Sequence, residues 1–243
     1  MRIALWAIDP FTASQERFSE LGWSVRFVSP RDCGRALLEG EVDVALIPSI
    51  EVLGNTAAYT VLPGVAFASK RRFPYVGLLM GRPVVEIRTI RPTPDAEPFY
   101  GLASVVLREQ YDCRTTMVRD GEADSMLLFG ADAADAGGET LIDIGLEWFE
   151  LTGSPLVWGF FTVRPGTIPD AELAAVQDEL ASALISDRKT PSPQSTEEPA
   201  ARADLLATYD PEVSEGIDEL AHYLFYVGIL DDIPALRLMA TQN

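Results

Sequence analysis

Lysine, histidine and cysteine are nearly missing from this 243-residue chain, which has two lysines (Lys70, Lys189), one histidine (His222) and two cysteines (Cys33, Cys113). One imidazole and two distant thiols cannot complete a tetrahedral zinc set. Two isolated thiols build no disulfide framework and suit a reducing compartment. No Gly-x-Ser-x-Gly is present, so nucleophilic hydrolysis has no signature. A P-loop and a Gly-x-Gly-x-x-Gly after the first strand are also missing, which leaves ATP and nicotinamide cofactors without support; no cofactor is expected. No stretch approaches the ~18–20 apolar residues of a membrane span. The segment before Asp9-Pro10 is too short for a signal-peptide core, so the cytoplasm is the expected location.

Positive charge is scarce as well: 19 Lys+Arg stand against 37 Asp+Glu, a formal net charge of -18. Such a polyanion is repelled by phosphate backbones and anionic lipid surfaces, so neither nucleic acid nor membrane is an expected partner. With 47% hydrophobic residues, the length supports one large folded domain or two lobes.

The order of elements favours two lobes. Arg2 to Ile8, Trp23 to Ser29 and Val42 to Pro48 read as strands separated by helices at Ser14 to Leu21 and Pro30 to Glu39, a β-α-β-α-β order that implies parallel pairing. Strands at Tyr59 to Ala68 and Tyr75 to Met80 follow. The proline-punctuated stretch 81–98, with Glu86 to Ile90 still strand-like, reads as a crossing into a second lobe. That lobe holds a helix from Phe99 to Gln110, strands at Cys113 to Val118, Met126 to Phe129 and Leu141 to Ile144, and a helical turn at Leu146 to Leu151. Val157 to Val163 is the expected return. The predicted division is therefore 1–85 with 165–243 as lobe 1 and 86–164 as an inserted lobe 2. Residues 186–200 read as a solvated connector. Helices are expected at Pro169 to Ile185, Pro211 to Tyr226 and Ile233 to Met239. A Gly-Glu-x-Asp step recurs before a buried strand in each lobe, at Gly40 to Asp43 and Gly121 to Asp124, and fits either coincidence or two related lobes.

Strand ends facing the crevice between lobes are where ligands gather in α/β proteins. Asp9 there is either a general base or an Asp-Pro turn. Ser49 and Glu51 either cap the next segment or touch ligand, and Tyr75 and Trp158 either line a pocket or pack the core. Lys70, Arg71 and Arg72 form a solvated turn or face the cleft.

Two runs carry a resemblance. Glu39-Gly40-Glu41-Val42-Asp43-Val44-Ala45-Leu46-Ile47-Pro48-Ser49-Ile50-Glu51 resembles the first-lobe motif of the MqnA/MqnD menaquinone biosynthesis family. Ile142-Asp143-Ile144-Gly145-Leu146-Glu147-Trp148, continuing through Thr152-Gly153-Ser154-Pro155-Leu156-Val157-Trp158, is similar to that family's second long motif. The resemblance implies a type II periplasmic-binding-protein-like fold: two α/β lobes joined by crossing strands, with C-terminal helices. The MqnD branch carries a histidine where Gly130 stands, so the chain resembles the MqnA branch more closely. That branch's activity is chorismate dehydratase, forming 3-[(1-carboxyvinyl)oxy]benzoate without a cofactor. The resemblance implies a carboxylate-bearing small-molecule substrate, with Asp9 the position closest to the family's first-strand asparagine and so the expected catalytic group; the residues expected to bind substrate around the crevice are Ser49, Glu51, Arg72, Tyr75, Thr93, Asp95, Gly130 and Trp158. The family's Ser-Arg-Thr-Ser anion-binding turn is replaced by Ala96-Glu97-Pro98-Phe99, with Asp95 beside it. That replacement leaves two alternatives open: a divergent small-molecule binder without chemistry, and a catalyst acting on a less anionic substrate.

Overall fold

A computed structural model describes residues 1–136, 140–184, 205–206, 210–234 and 236. The chain builds two mixed sheets. The first contains β1 (Arg2–Trp6), β2 (Ser24–Val28), β3 (Val44–Pro48), β4 (Thr60–Ser69), β10 (Leu156–Val163) and β11 (Leu205–Leu206), in the order β11-β4-β10-β3-β1-β2. The second contains β5 (Val76–Met80), β6 (Thr89–Pro92), β7 (Thr116–Met117), β8 (Ser125–Phe129) and β9 (Leu141–Asp143), in the order β7-β6-β8-β5-β9. The helices α1 (Asp9–Thr12), α2 (Gln15–Glu20), α3 (Pro30–Leu38), α4 (Ser49–Gly54), α5 (Tyr100–Tyr111), α6 (Ala131–Asp135), α7 (Ile144–Thr152), α8 (Asp170–Leu184) and α9 (Pro211–Tyr226) connect and cover them.

β1 pairs in parallel with both β2 and β3, as the β-α-β-α-β reading requires. Every residue of β3 and β10 is buried, the mark of strands covered on both faces, which read as continuous apolar runs rather than alternation. Local chemistry sets the helix ends. Pro30 and Pro211 occupy first-turn positions where a missing N–H costs nothing. Asp210 caps α9 by accepting from Val213 N at 2.9 Å, and Gly153 ends α7 with φ 76°, a left-handed conformation that suits glycine.

Several elements differ from the sequence reading. Val76–Met80, expected in the first lobe, pairs antiparallel with β8 and β9 in the second sheet. The first passage between sheets is therefore 70–75, not 81–98. β10, expected to be the return crossing, lies wholly in the first sheet, so the return is 153–155. Proline density misled here because Pro83 opens a short 3-10 turn (Val84–Glu86) inside the second layer. The helices α1, α4 and α6 went unseen because each spans under two turns and follows closely on a strand end, which leaves little period to read. Ile233 and Pro234 are not helical; most of the helix expected to run on to Met239, and the 186–200 connector, lie outside the described residues.

The Gly-Glu-x-Asp echo has one geometry in both sheets. Gly40 and Gly121 are left-handed, φ 75° and 87°, which turns the chain into β3 and β8. The aspartate that follows grips the start of the parallel neighbour. Asp43 accepts from Arg2 N at 2.9 Å, and Asp124 accepts from Arg88 N and Thr89 N, both at 3.0 Å.

The second long motif fastens the first passage. Asp143 caps α7 through Leu146 N (3.1 Å) and also accepts from Phe73 N (3.1 Å), in the linker between sheets. Gly145 lets that linker come close, since a Cβ there would lie 2.6 Å from the Arg71 carbonyl oxygen. The motif works by holding the passage in place.

Candidate functional site: the seam between the sheets

Parallel pairing brings the carboxyl ends of β1, β2 and β3 to one edge of the first sheet. Opposite them stand the loop Thr93–Glu97 after β6 and Gly130 after β8, the ends of two parallel strands of the second sheet. Such facing strand ends are where an α/β protein of this kind receives a ligand. Ser29 Oγ donates to Asp95 Oδ1 at 2.7 Å across the seam.

Aromatic rings fill the interior of the seam. Trp6, at the end of β1, is fully buried and meets Phe99 and Phe129 of the second layer edge-on, with centroids 5.3 and 5.9 Å away. Phe99 stacks on Phe129 at 5.4 Å and touches Trp158 of β10 at 5.9 Å. Trp158 stacks on Phe73 at 4.1 Å. The indole N–H groups are satisfied inside the protein: Trp6 Nε1 donates to the Leu46 carbonyl (3.0 Å) and Trp158 Nε1 to Ser69 Oγ (2.9 Å). Fully burying one such ring is worth about 1.5–3 kcal/mol, and a well-oriented ring pair adds about 0.5–1.5 kcal/mol. The single Ser29–Asp95 bond contributes about 1 kcal/mol. The rings therefore dominate what holds the layers together.

Two hollows open at the rim. One, of about 240 Å³, is lined by Ala7, Ser29, Asp95, Phe129, Gly130 and Asp132, among others. The other, of about 530 Å³, is lined by Arg31, Arg91, Thr93, Glu97, Arg119 and Met126 with two prolines.

The residues expected at the site divide between these places. Asp95 and Gly130 share the smaller hollow, and Thr93 lines the larger one. Asp9 is half-buried, two residues beyond Ala7 of the smaller hollow, and no hydrogen bond or ion pair of its carboxylate is seen among the described residues. Trp158 and Tyr75 belong to the packed interior, at 0% and 4% exposure. Ser49 is buried and donates from Oγ to the Val157 carbonyl, tying α4 to β10. Glu51 turns to α3 and Tyr59, whose hydroxyl donates to it at 2.6 Å; burial raises its pKa against that hydrogen bond. Arg72 is exposed and lies close enough to lower the pKa of Asp143, which burial raises more strongly. Its neighbours are also engaged away from the hollows: Lys70 pairs with Glu212 at 2.9 Å, and Arg71 sits 5.0 Å above the Phe149 ring. Burial raises the Cys33 thiol pKa well above its usual range, and neither cysteine is bonded to the other.

The replaced anion-binding turn offers no free amides. Ala96 N and Glu97 N both donate to the Thr93 carbonyl, and Phe99 N donates to Ala96. Pro98 has no N–H to give.

Sequence reasoning missed Trp6, Phe99, Phe129 and the arginines at 31, 91 and 119. Trp6 and Phe129 look like any buried strand end and Phe99 like the opening of a helix, and the three arginines lie on separate elements that only tertiary packing brings together. Among the described residues, no group of three potential metal ligands occurs, and no helix is long and apolar enough to cross a membrane.

The sequence pattern of the menaquinone biosynthesis family matches residues 3–218. The chain belongs to that family. Solved structures share the fold at low identity. A protein of Archaeoglobus fulgidus is 15% identical with a TM-score of 0.61, covering 94% of this chain and 98% of that one. The alkanesulfonate-binding protein SsuA from Xanthomonas axonopodis pv. citri, bound to MOPS, is 16% identical with a TM-score of 0.63, covering 98% and 97%. An ABC transporter structure from Parabacteroides distasonis is 14% identical with a TM-score of 0.63, covering 100% and 99%. A search of curated proteins gave no match. The fold is thus the periplasmic-binding-protein type expected from the sequence, with two α/β layers.

Proposed function

We propose that this member of the menaquinone biosynthesis family is a chorismate dehydratase-like lyase of the MqnA branch, acting on a small carboxylate taken up at the seam. The observation that carries the reading is Asp9, half-buried at the start of α1 and two residues beyond Ala7, which shares a hollow with Gly130; its carboxylate has no hydrogen bond or ion pair among the described residues. The chain's only histidine supports this branch over one that uses an imidazole base. His222 is exposed on α9, with Nδ1 2.7 Å from the Asp218 carbonyl oxygen.

In the proposed reaction Asp9 takes a ring proton from chorismate. The C–H electron pair forms a ring double bond, and the ring hydroxyl departs as water with the proton that Asp9 took up, which leaves an aromatic ring and returns Asp9 to its carboxylate. A positioned base of this kind contributes roughly 10²–10⁴-fold. The two sheets act as lobes hinged at 70–75 and 153–155, and they separate to admit substrate.

A second reading is a non-catalytic small-molecule binder of the same fold. The observation favouring it is the ring packing that occupies the seam, with Asp95 and Asp132 at its mouth. Steady-state kinetics with chorismate separate the two. The lyase reading expects Asp9→Asn to lower kcat about 100-fold or more with KM nearly unchanged. Retained kcat would remove Asp9 from the mechanism, and saturable chorismate binding without turnover by wild type would establish the second reading.

A further inference from the structure

We infer that the pocket of Arg31, Arg91 and Arg119 binds a small carboxylate with an apolar body, and that Glu97 is a built-in anion which the ligand displaces. Three guanidinium groups from different elements line one hollow of about 530 Å³: Arg31 from the first turn of α3, Arg91 from β6 and Arg119 beyond β7. In a chain of net charge -18 this is a local excess of positive charge, opposed only by Glu97 among the lining residues.

Glu97 shows what the pocket recognises. Its Oε1 lies 2.7 Å from Arg119 Nη2 and its Oε2 lies 3.8 Å from Arg31 Nη1, so one carboxylate is spread across two cations from opposite layers. Arg91 gives Nη1 to the Gly121 carbonyl at 2.6 Å and Nη2, weakly, to Met126 Sδ at 3.5 Å. A guanidinium carries five N–H donors matched to planar oxyanions, so the set retains capacity for a second carboxylate. Pro92, Pro94 and Met126 supply apolar wall, and Thr93 lines the hollow beside them. An inorganic anion would leave most of that wall bare, whereas an aromatic or alicyclic carboxylate would cover it. Because Arg31 belongs to the first layer and Arg119 to the second, a bound carboxylate also ties the layers together.

The inference shares with the proposed function the expectation of a carboxylate and Thr93, one of the residues expected to bind substrate; the pocket's existence does not depend on turnover. Isothermal titration of the full chain at low salt, with isophthalate as probe and benzyl alcohol and inorganic phosphate as controls, tests it. Saturable isophthalate binding is expected. Arg119→Ala, at a side chain 73% exposed and so tolerant of change, should weaken it at least tenfold, as should Arg91→Gln. Glu97→Gln should strengthen it severalfold, and Asp132→Asn in the neighbouring hollow should leave it unchanged. No saturable binding by wild type and Glu97→Gln alike would overturn the inference. So would binding that survives Arg119→Ala undiminished, or phosphate binding as tight as isophthalate. Chorismate turnover without isophthalate binding would refute this pocket and leave the reaction standing; the converse would refute the reaction and leave the pocket.

Discussion

Asp143 shows how one side chain serves two elements at once. It was legible as part of a long motif, but its job was not, because the partner amide at Phe73 is far away in sequence. Burial raises its pKa, opposed by the N–H groups of Leu146, Phe73 and Gly145 and by Arg72. A carboxyl whose folded pKa lies above its unfolded value binds its proton more tightly in the folded protein. Its contribution is fully present below the ordinary aspartate value and is lost as pH rises through the raised folded value. Asp143→Asn removes that titration, so its urea midpoint should fall less than that of wild type as pH rises from about 4 to 7. Identical pH slopes would show that Asp143 does not titrate differently on folding. Asp9 and Gly130 were expected near the crevice from their places after strands, with the resemblance adding a role, whereas Arg31, Arg91 and Arg119 carried no local signal and emerge only from the pairing of β6 and β8 and the seating of α3.

At the scale of elements, period and composition revealed the buried strands and long helices, and parallel pairing followed from their order. Sheet membership did not follow, since a short apolar strand such as Val76–Met80 fits either sheet until its partners are known. Close approaches between elements were equally hidden. α9 packs against β10 and α5, and a Cβ at its Gly216 would lie 2.3 Å from the Pro155 carbonyl oxygen in the return passage. At an exposed helix position Gly→Ala gains about 1 kcal/mol. Here the clash is with backbone and outweighs that gain, so Gly216→Ala should lower stability by about 1–3 kcal/mol in urea denaturation. A stabilised variant would mean that α9 can shift away from the passage without loss. The paired aspartates Asp43 and Asp124 act on the same scale, each fastening one strand to its parallel neighbour. Both pKa values are lowered, Asp43 chiefly by its hydrogen bond with Arg2 and Asp124 chiefly by the Arg88 N–H. Their contribution is therefore present at neutral pH and lost as pH falls through the lowered values, opposite in sign to that of Asp143.

Across the whole molecule the seam sets the balance between closure and access. Separating the layers would expose part of Trp6, Phe99 and Phe129, at up to about 1.5–3 kcal/mol per ring, so the ring packing favours the closed arrangement. Phe99→Ala removes contacts with Trp6, Phe129 and Trp158 together, and should lower stability by about 3–5 kcal/mol. A loss under 1 kcal/mol would show that the rings do not hold the layers. The scarcity of cations acquires a position at this scale too. Three of the chain's few positive charges gather in one seam hollow, while Asp95 and Asp132 border the other. The most direct measurement is the fate of chorismate incubated with the purified full chain and followed by chromatography. Conversion, with loss of one water, to 3-[(1-carboxyvinyl)oxy]benzoate is expected; chorismate that persists as it does with heat-inactivated protein would rule out the lyase.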